Sequence, residues 1–481
     1  MATTTTVHPD YSLMQPEISK IRAAVKGSFF VKREGYTYLP HPSDVDQVST
    51  SAVARYVDYK NAAEFDEVPG YTMRSMIGRA ALWQSSVVMP QGLEMLKENI
   101  DGDGLSLLGQ AENVFANILQ VKWHILVAEY INSPAAGERL TPVQAASRNI
   151  RPAIKSYPRD SVLDWDFRTI NGINQLSYLK LMEHKYSLDY ATGARQEFDE
   201  YLIMFIDDSG NYNWRKERSD GAIGDNMPVT VGGRPLKWLP VEIVADIEPE
   251  SGCMPQELGF LSPIVDKVLA RYVDSARYAE SRKMILPTIN TSGWQGNDWE
   301  DYQKMNGRDY VATGGTSVNN LPNNVSMEIL SPDAKLDHFV KYREINAADI
   351  RALGGEFAGD ETAGKSDTQS TNESVDKAAK MLSIVNNIEA AYKRLIAYCG
   401  MFAGLYSQDN IEQAAGEVEI SLNREFAKTR ASVEVARFIA NDLALSGLFG
   451  AETRLKMLKQ AGYADESDIQ AALDMLDGGG Q

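Results

Sequence analysis

The sequence predicts an α+β chain whose second half runs helix, small α/β excursion, helix, polar loop and one very long helix. Three observations carry this. Between residues 371 and 401, Val375, Ala378, Leu382, Val385, Ile388, Tyr392, Leu395 and Cys399 recur every three or four positions, which lays one apolar stripe along a helix. Two more helical patterns, 262–285 and 332–353, flank a Gly/Asn-rich stretch. Between Arg151 and Asp246, short apolar runs bounded by turn residues read as strands. At about 1.5 Å per residue, the 371–401 helix is on the order of 45 Å long, which is long for an ordinary globular domain.

The elements follow in order. Residues 11–25 read as a short helix, the run FFVKREGYTYLP as a strand ending at Pro40, and 44–48 as loop. Such an arm wraps a neighbouring domain or subunit. From Tyr71 the pattern is mostly helical, with Met73, Met76, Ile77 and Ala80 on one stripe and a break at Pro90. IDGDGLSL (100–107) is a turn, 108–121 is helical again, and WHILVAEYI is a buried strand. AIKSYP, SVLDWDFR, KLMEHKY and EYLIMFIDD continue as strands, the last paired with NYNWRKE across Asp208-Ser209-Gly210. VTVGG, LKWLP and VEIVAD extend the β-rich section to about Asp246.

Ser262 suits a helix N-cap and Pro263 the first helical position, ahead of apolar Ile264, Val265, Val268, Leu269 and Tyr272. Residues 286–331 hold strand candidates in DYVAT and SMEIL. Gly354-Gly355 is a natural end for the helix before it. The polar segment 354–370 follows, and Ser370 with Glu373 forms a capping box for the long helix. Beyond Gly416, VEISLNREF is a short strand, and 431–446 and 451–461 are helical. No internal repeat is visible.

Composition narrows the function classes. A chain of 481 residues with 43% hydrophobic content holds two to four compact units with real cores. A net charge of -18 opposes a protein that grips nucleic acid by neutralising phosphates, yet suits one that lets nucleic acid slide past. Two cysteines, Cys253 and Cys399, rule out a disulfide framework and cysteine-based metal clusters. MATTTTVHPDYS does not read as a signal peptide, and no apolar run is long enough to cross a membrane. The N-x-S/T matches at Asn290, Asn324 and Asn372 are chance in that setting.

The sharpest motif match is Gly359-Asp-Glu-Thr-Ala-Gly364-Lys365-Ser366, which fits the phosphate-loop pattern. That chemistry needs a strand directly before the loop and a helix starting at the lysine, so that backbone amides cradle phosphate. Here a helix precedes it and SDTQS separates Lys365 from the next one, so a flexible loop is the better account. A Walker B-like run ending at Asp207-Asp208 lies upstream, where the usual order places it downstream.

Asp101, Asp103 and Glu112 match positions one, three and twelve of a calcium loop, but Leu105 and Ser106 fail the middle, leaving a plain turn. His8, His41, His124, His184 and His338 sit in no nucleophile or zinc motif and read as core or surface histidines. Acidic pairs such as Glu300-Asp301 read as solvated faces, and no catalytic dyad is present. Arg148, Arg151, Lys155 and Arg159 form a small basic patch, either a salt-bridged surface or a contact for nucleic acid or an acidic partner. Trp294, Trp299 and Tyr302 form either an exposed interface or a local mini-core.

Several segments together resemble the portal proteins of tailed bacteriophages, a head-to-tail connector family of the domain-of-unknown-function type. They are HPDY (8–11), VKREGYTYLP (31–40), DGDG-x-S-L (101–107), RPAIKSYP with VLDW (151–165), and LGGEFAG with the TNES-headed helix from 353 onward. The resemblance implies an α+β portal fold. By that resemblance, residues 1–258 would be arm and wing, 259–285 and 332–353 stem helices, 286–331 the clip, and 354–370 the tunnel loop. Residues 371–430 would be spine helix and wing return, and 431–481 a helical crown. It further implies a dodecameric ring at a capsid vertex of the virion, assembled in the bacterial host cytoplasm. The ring serves as channel for genome packaging and ejection, contacting double-stranded DNA without sequence readout.

Implied partners are other copies of the chain, the terminase large subunit, a head-tail adaptor and the major capsid protein or scaffold. No membrane, enzyme activity or cofactor is implied. Gly354, Gly355, Asp360, Glu361, Lys365, Ser366 and Asp367 would line the channel, and Trp294, Trp299 and Tyr302 would dock terminase or adaptor. The alternative is a P-loop ATPase of the packaging-motor type using GDETAGKS (359–366). A capsid or scaffold protein is a third reading, which the stem-and-spine order weakens.

Overall fold

Apolar periodicity and the placement of glycines set where each element begins and stops. The computed structural model describes residues 6–41, 50–80, 85–131, 150–170, 172–188, 190, 192–247, 254–285, 288–290, 294–307, 320–322, 328–330, 337–356, 367–422, 453–454 and 457. The fold is mixed α+β, with several helices and antiparallel sheets.

Numbered in chain order, the helices begin with α1 (Pro9–Lys26), α2 (Ser28–Arg33), α3 (Thr50–Ala62), α4 (Val68–Ala80), α5 (Met95–Glu98) and α6 (Leu107–Val121). They continue with α7 (Ser262–Ile285), α8 (Gly296–Asn306), α9 (Asp337–Ala352), α10 (Asp367–Phe402) and α11 (Ile411–Glu417). The strands are β1 (Ser86–Val88), β2 (Trp123–Ile131), β3 (Arg151–Pro158), β4 (Val162–Ile170), β5 (Ile173–Leu188), β6 (Arg195–Ile206) and β7 (Tyr212–Arg218). Short strands β8 (Met227–Pro228), β9 (Thr230–Val231) and β10 (Arg234–Pro235) lead to β11 (Val241–Ala245), and β12 (Thr288–Asn290), β13 (Glu328–Leu330) and β14 (Glu419–Ser421) complete the set.

The chain divides into two compact units, 1–25 with 69–263 and 356–481, and 26–68 with 264–355. In the first unit, β11-β2-β3 and β4-β5-β6-β7-β8 form two antiparallel sheets, and β1 pairs with β14. The core holds Trp123, Val162, Trp165, Leu179, Leu181, Leu202, Met204, Leu236 and Met401, with Trp123 and Trp165 edge to face at 5.9 Å. Helix α10 lies on the three-stranded sheet through buried Met381, Ile384, Val385, Ile388, Tyr392, Leu395 and Ile396. Each such side chain contributes about 1.5–3 kcal/mol by leaving water.

Polar contacts fix its register. Tyr392 Oη donates to Gln110 Oε1 at 2.9 Å, and Gln110 Nε2 donates to the Ile154 carbonyl at 2.8 Å, joining α10, α6 and β3. Arg394 pairs with Glu242 at 2.8 Å, and Asn387 donates to the Ala245 carbonyl at 2.9 Å. Burial pushes the Cys399 thiol up and keeps it a neutral packing group. The helix ends as Gly404, at φ 78°, donates to Met401 and Leu405 donates to Gly400, a Schellman cap.

In the second unit, α7 and α9 run antiparallel. Lys267 bonds Asp349 at 2.8 Å, Arg271 bonds the Arg343 carbonyl at 2.8 Å, and the Tyr278 and Phe339 rings lie 5.9 Å apart, so later α7 residues meet earlier α9 residues. Buried Arg271 also holds Asp66 at 2.7 Å. The described residues between the two helices include α8 and the antiparallel β12–β13 pair.

Several expectations change. FFVKREGYTYLP is no strand: the Gly27 carbonyl takes the Phe30 and Val31 N–H groups, starting α2, and a 3-10 turn follows at Gly35–Thr37. LKWLP is irregular, bracketed by Pro235 and Pro240, although Leu236 and Leu239 are buried. The long helix starts at Asp367, so Ser370 lies inside its first turn and not ahead of it. No glycine or proline follows Gly364 until Gly400, so polarity alone did not stop the helix. At 36 residues it is about 54 Å long. Helices α3, α8 and α11 were not anticipated. DYVAT, 44–48 and the two C-terminal helical patterns lie outside the described residues, apart from 453–454 and 457.

His124 sits in the first unit's core with Nε2 2.7 Å from Ser156 Oγ. Burial first and Arg22 second, opposed by Asp160, push its pKa from 6.5 down to about 3. The folded chain thus keeps a neutral imidazole where the unfolded chain takes a proton. This stability term is complete above about pH 6.5 and is lost as pH falls toward about 3. Urea unfolding of His124→Gln is expected to lose stability less steeply than the native chain across that window, by up to about 1.4 kcal/mol per pH unit. Equal slopes would contradict the assignment.

Candidate functional site

Along the chain, the two groups of candidate residues flank α9. At its C-terminal end the chain makes a Schellman cap, with Gly354 (φ 90°) donating to the Arg351 carbonyl at 2.9 Å and Gly355 donating to Ile350 at 2.8 Å. Only glycine adopts that φ without strain, so the cap fixes where the helix stops. Gly354 and Gly355 are therefore the helix terminus itself. The Glu356 N–H donates to buried Thr72 at 2.9 Å, and its carboxylate pairs with Arg79 at 2.9 Å. Asp360, Glu361, Lys365 and Ser366 lie outside the described residues, and Asp367 is the first residue of α10. The stretch between cap and helix is shorter than the expected 354–370.

The elements around GDETAGKS bear on the phosphate-loop match. The residues before it are α9 and its glycine cap, where a phosphate loop needs a strand. Every strand pair among the described residues is antiparallel, whereas phosphate-loop folds carry the loop on a parallel sheet. The following helix starts closer to Lys365 than expected, directly after Ser366. The Walker B-like Asp207 serves a turn: it accepts from the Ser209 and Asn211 N–H groups at 2.9 and 3.0 Å and from Asn213 at 2.9 Å. These bonds, Asn211's first, hold its carboxyl below the usual range.

In the excursion before α9, Trp294, Trp299 and Tyr302 come together, with ring centroids 4.9, 5.3 and 6.0 Å apart. Tyr302 is fully buried and both tryptophans are half-buried, so the three rings form a local mini-core. The Asp298 carboxylate accepts from the Gln295 N–H at 2.7 Å at the start of α8. Asn306 closes its far end, holding Asn320 through bonds of 2.8 Å in both directions.

The other sequence candidates are structural. The Asp101 carboxylate accepts from Asp103 and Leu105, and Asn99 accepts from Gly102 and Gly104, a turn whose Asp103 pairs with Lys155 at 2.7 Å. No group of three or more metal-ligating side chains occurs among the described residues. The basic patch dissolves. Arg151 is buried and donates to the Asn99 carbonyl. Arg159 is buried against Trp123 and donates to the carbonyls of Val121, Gln256 and Glu257, while burial pushes its pKa down to about 10. Arg148 lies outside the described residues. His8 stacks on Trp165 at 4.1 Å, and His184 pairs with Asp199 at 2.5 Å on the surface.

No family model matches the chain, and no curated protein matches it. Among solved structures it is similar to a chain of "Neck of empty GTA particle computed with C6 symmetry", at 13% identity and a TM-score of 0.40, covering 90% of this chain and 99% of that one. A likeness at that level carries no functional argument, so function is read from the chain's own residues.

If the three rings are a mini-core, Tyr302→Ala removes its buried centre at a cost of about 3–5 kcal/mol. Hydrogen-exchange mass spectrometry is then expected to show faster exchange throughout Gly296–Asn306. Unchanged exchange there would mean that the rings pack on something else.

Proposed function

We propose that the chain is a portal subunit of a tailed-phage-type particle, a ring-forming channel through which DNA is loaded and released. The observation that carries this is the antiparallel α7–α9 pair with a small α/β tip between its helices, followed through a polar link by the 36-residue α10. That order matches the stem, clip, tunnel loop and spine of the family that the sequence resembles. Exposed Val340, Tyr342 and Ile345 on α9 supply apolar surface of the kind a neighbouring subunit covers.

Within the link, Lys365 is the lone base against Asp360 and Glu361, with Asp367 following, while Glu356 ahead of them is paired with Arg79. Repeated around a ring, that charge pattern repels the phosphate backbone and prevents sticking while allowing transient contact. In this reading the chain hydrolyses nothing. The tip meets the terminase large subunit during packaging and an adaptor afterwards, and the first unit meets the capsid.

The P-loop ATPase reading keeps one feature in its favour, the start of α10 directly after Ser366. Two measurements on the purified chain separate the readings. Native mass spectrometry is expected to give one closed high-order oligomer, a dodecamer by family resemblance, with no ATP turnover in either the native chain or Lys365→Ala. ATP turnover that disappears in Lys365→Ala would overturn the portal reading.

A further inference from the structure

A groove of about 220 Å³ lies on one face of the five-stranded sheet in the first unit, lined in part by Tyr178, Lys180, Tyr201, Arg215, Arg218 and Ser219. Strand register explains the convergence. Lys180 of β5 is opposite Ile203 of β6, which is opposite Arg215 of β7, so one transverse row carries both cations. The next row places Tyr201 beside Glu217, and Tyr178 lies two residues from Lys180 on the same strand face.

Lys180 is the unexplained group. It is only 6% exposed, yet its ammonium has no hydrogen bond or ion pair among the described residues; its one close partner is the Tyr201 ring, 5.0 Å from Nζ. Its stem is buried while its Nζ opens onto the groove, where the aromatic face supplies only part of what an anion would. The nearby carboxylates, Glu217 in the groove wall among them, have other partners. Glu217 is held by Arg215 through both Nε and Nη2 at 2.9 Å. Asp164, opposite Lys180 on β4, accepts the Trp165 N–H, and Asp220 pairs with Arg218 at 3.1 Å. The groove thus presents Lys180 without a carboxylate partner among the described residues, beside two paired arginines and the Tyr178 and Tyr201 side chains.

We propose that this groove binds a small phosphate-bearing molecule, with Lys180 as its central charged contact. Donors arriving from three strands suit a tetrahedral oxyanion, which accepts in every direction, better than a planar carboxylate. Burial and Asp164 raise the Tyr178 pKa, so that hydroxyl stays protonated and able to donate. The cavity exceeds a bare phosphate, and the tyrosine rings form walls for a short organic group.

Isothermal titration of the full chain with inorganic phosphate and with glycerol phosphate, against acetate at equal ionic strength, tests this. Saturable binding of at least one phosphate compound is expected, and tighter binding of the ester would assign the organic portion to the groove. Lys180→Met, close in volume, is expected to weaken binding about tenfold or more. Tyr201→Phe keeps the ring under Lys180 and removes one donor, so it is expected to weaken binding by a smaller factor without moving the unfolding midpoint. It remains informative if Lys180→Met fails to fold. The proposal is overturned if no saturable binding occurs, if acetate competes equally, or if both variants bind as the native chain does.

Discussion

The first unit depends on one interface, the packing of the second half of α10 against α6 and the three-stranded sheet. Its apolar part is ordinary: a stripe of isoleucine, leucine and valine leaves water. What makes it specific is the chain of bonds from Tyr392 through Gln110 to the Ile154 carbonyl. Each group there is buried, so a slip of α10 by one turn leaves all of them unsatisfied, at about 1–3 kcal/mol apiece. Arg394 with Glu242 and Asn387 with Ala245 fix the same register from the side of β11. The Gly404 cap then turns the chain so that it returns through α11 to β14.

Charge is distributed with a similar economy. The chain is acidic, and several of its arginines are committed internally: Arg151 to Asn99, Arg159 to three carbonyls, Arg271 to Asp66 and the Arg343 carbonyl. A guanidinium buried in this way satisfies loop carbonyls that no helix or strand reaches. It is also withdrawn from phosphate.

The sequence revealed the large periodic elements and lost the small ones. The α10 stripe was legible because Val385, Ile388, Tyr392, Leu395 and Cys399 all bury as their spacing demands. The β6–β7 hairpin was legible because Asp208-Ser209-Gly210 reads as a turn, and the observed turn closes between Asp207 and Asn211. The start of α10 was misjudged because a polar run without glycine was taken for loop. Helix α3 had a signal in Ala52, Tyr56 and Tyr59, which bury at near-helical spacing. The excursion's rings were legible as alternatives only, since composition cannot tell a mini-core from an exposed tip. The Lys180 groove was not legible at all: its residues come from separate strands that only the sheet register brings into line.

The central claim is that these elements serve a ring with an open centre. Negative-stain electron microscopy of the purified full-length chain tests that most directly. The account predicts closed rings of uniform subunit number, with a central opening wide enough for duplex DNA. Monodisperse single chains, or closed assemblies with no opening, would contradict it.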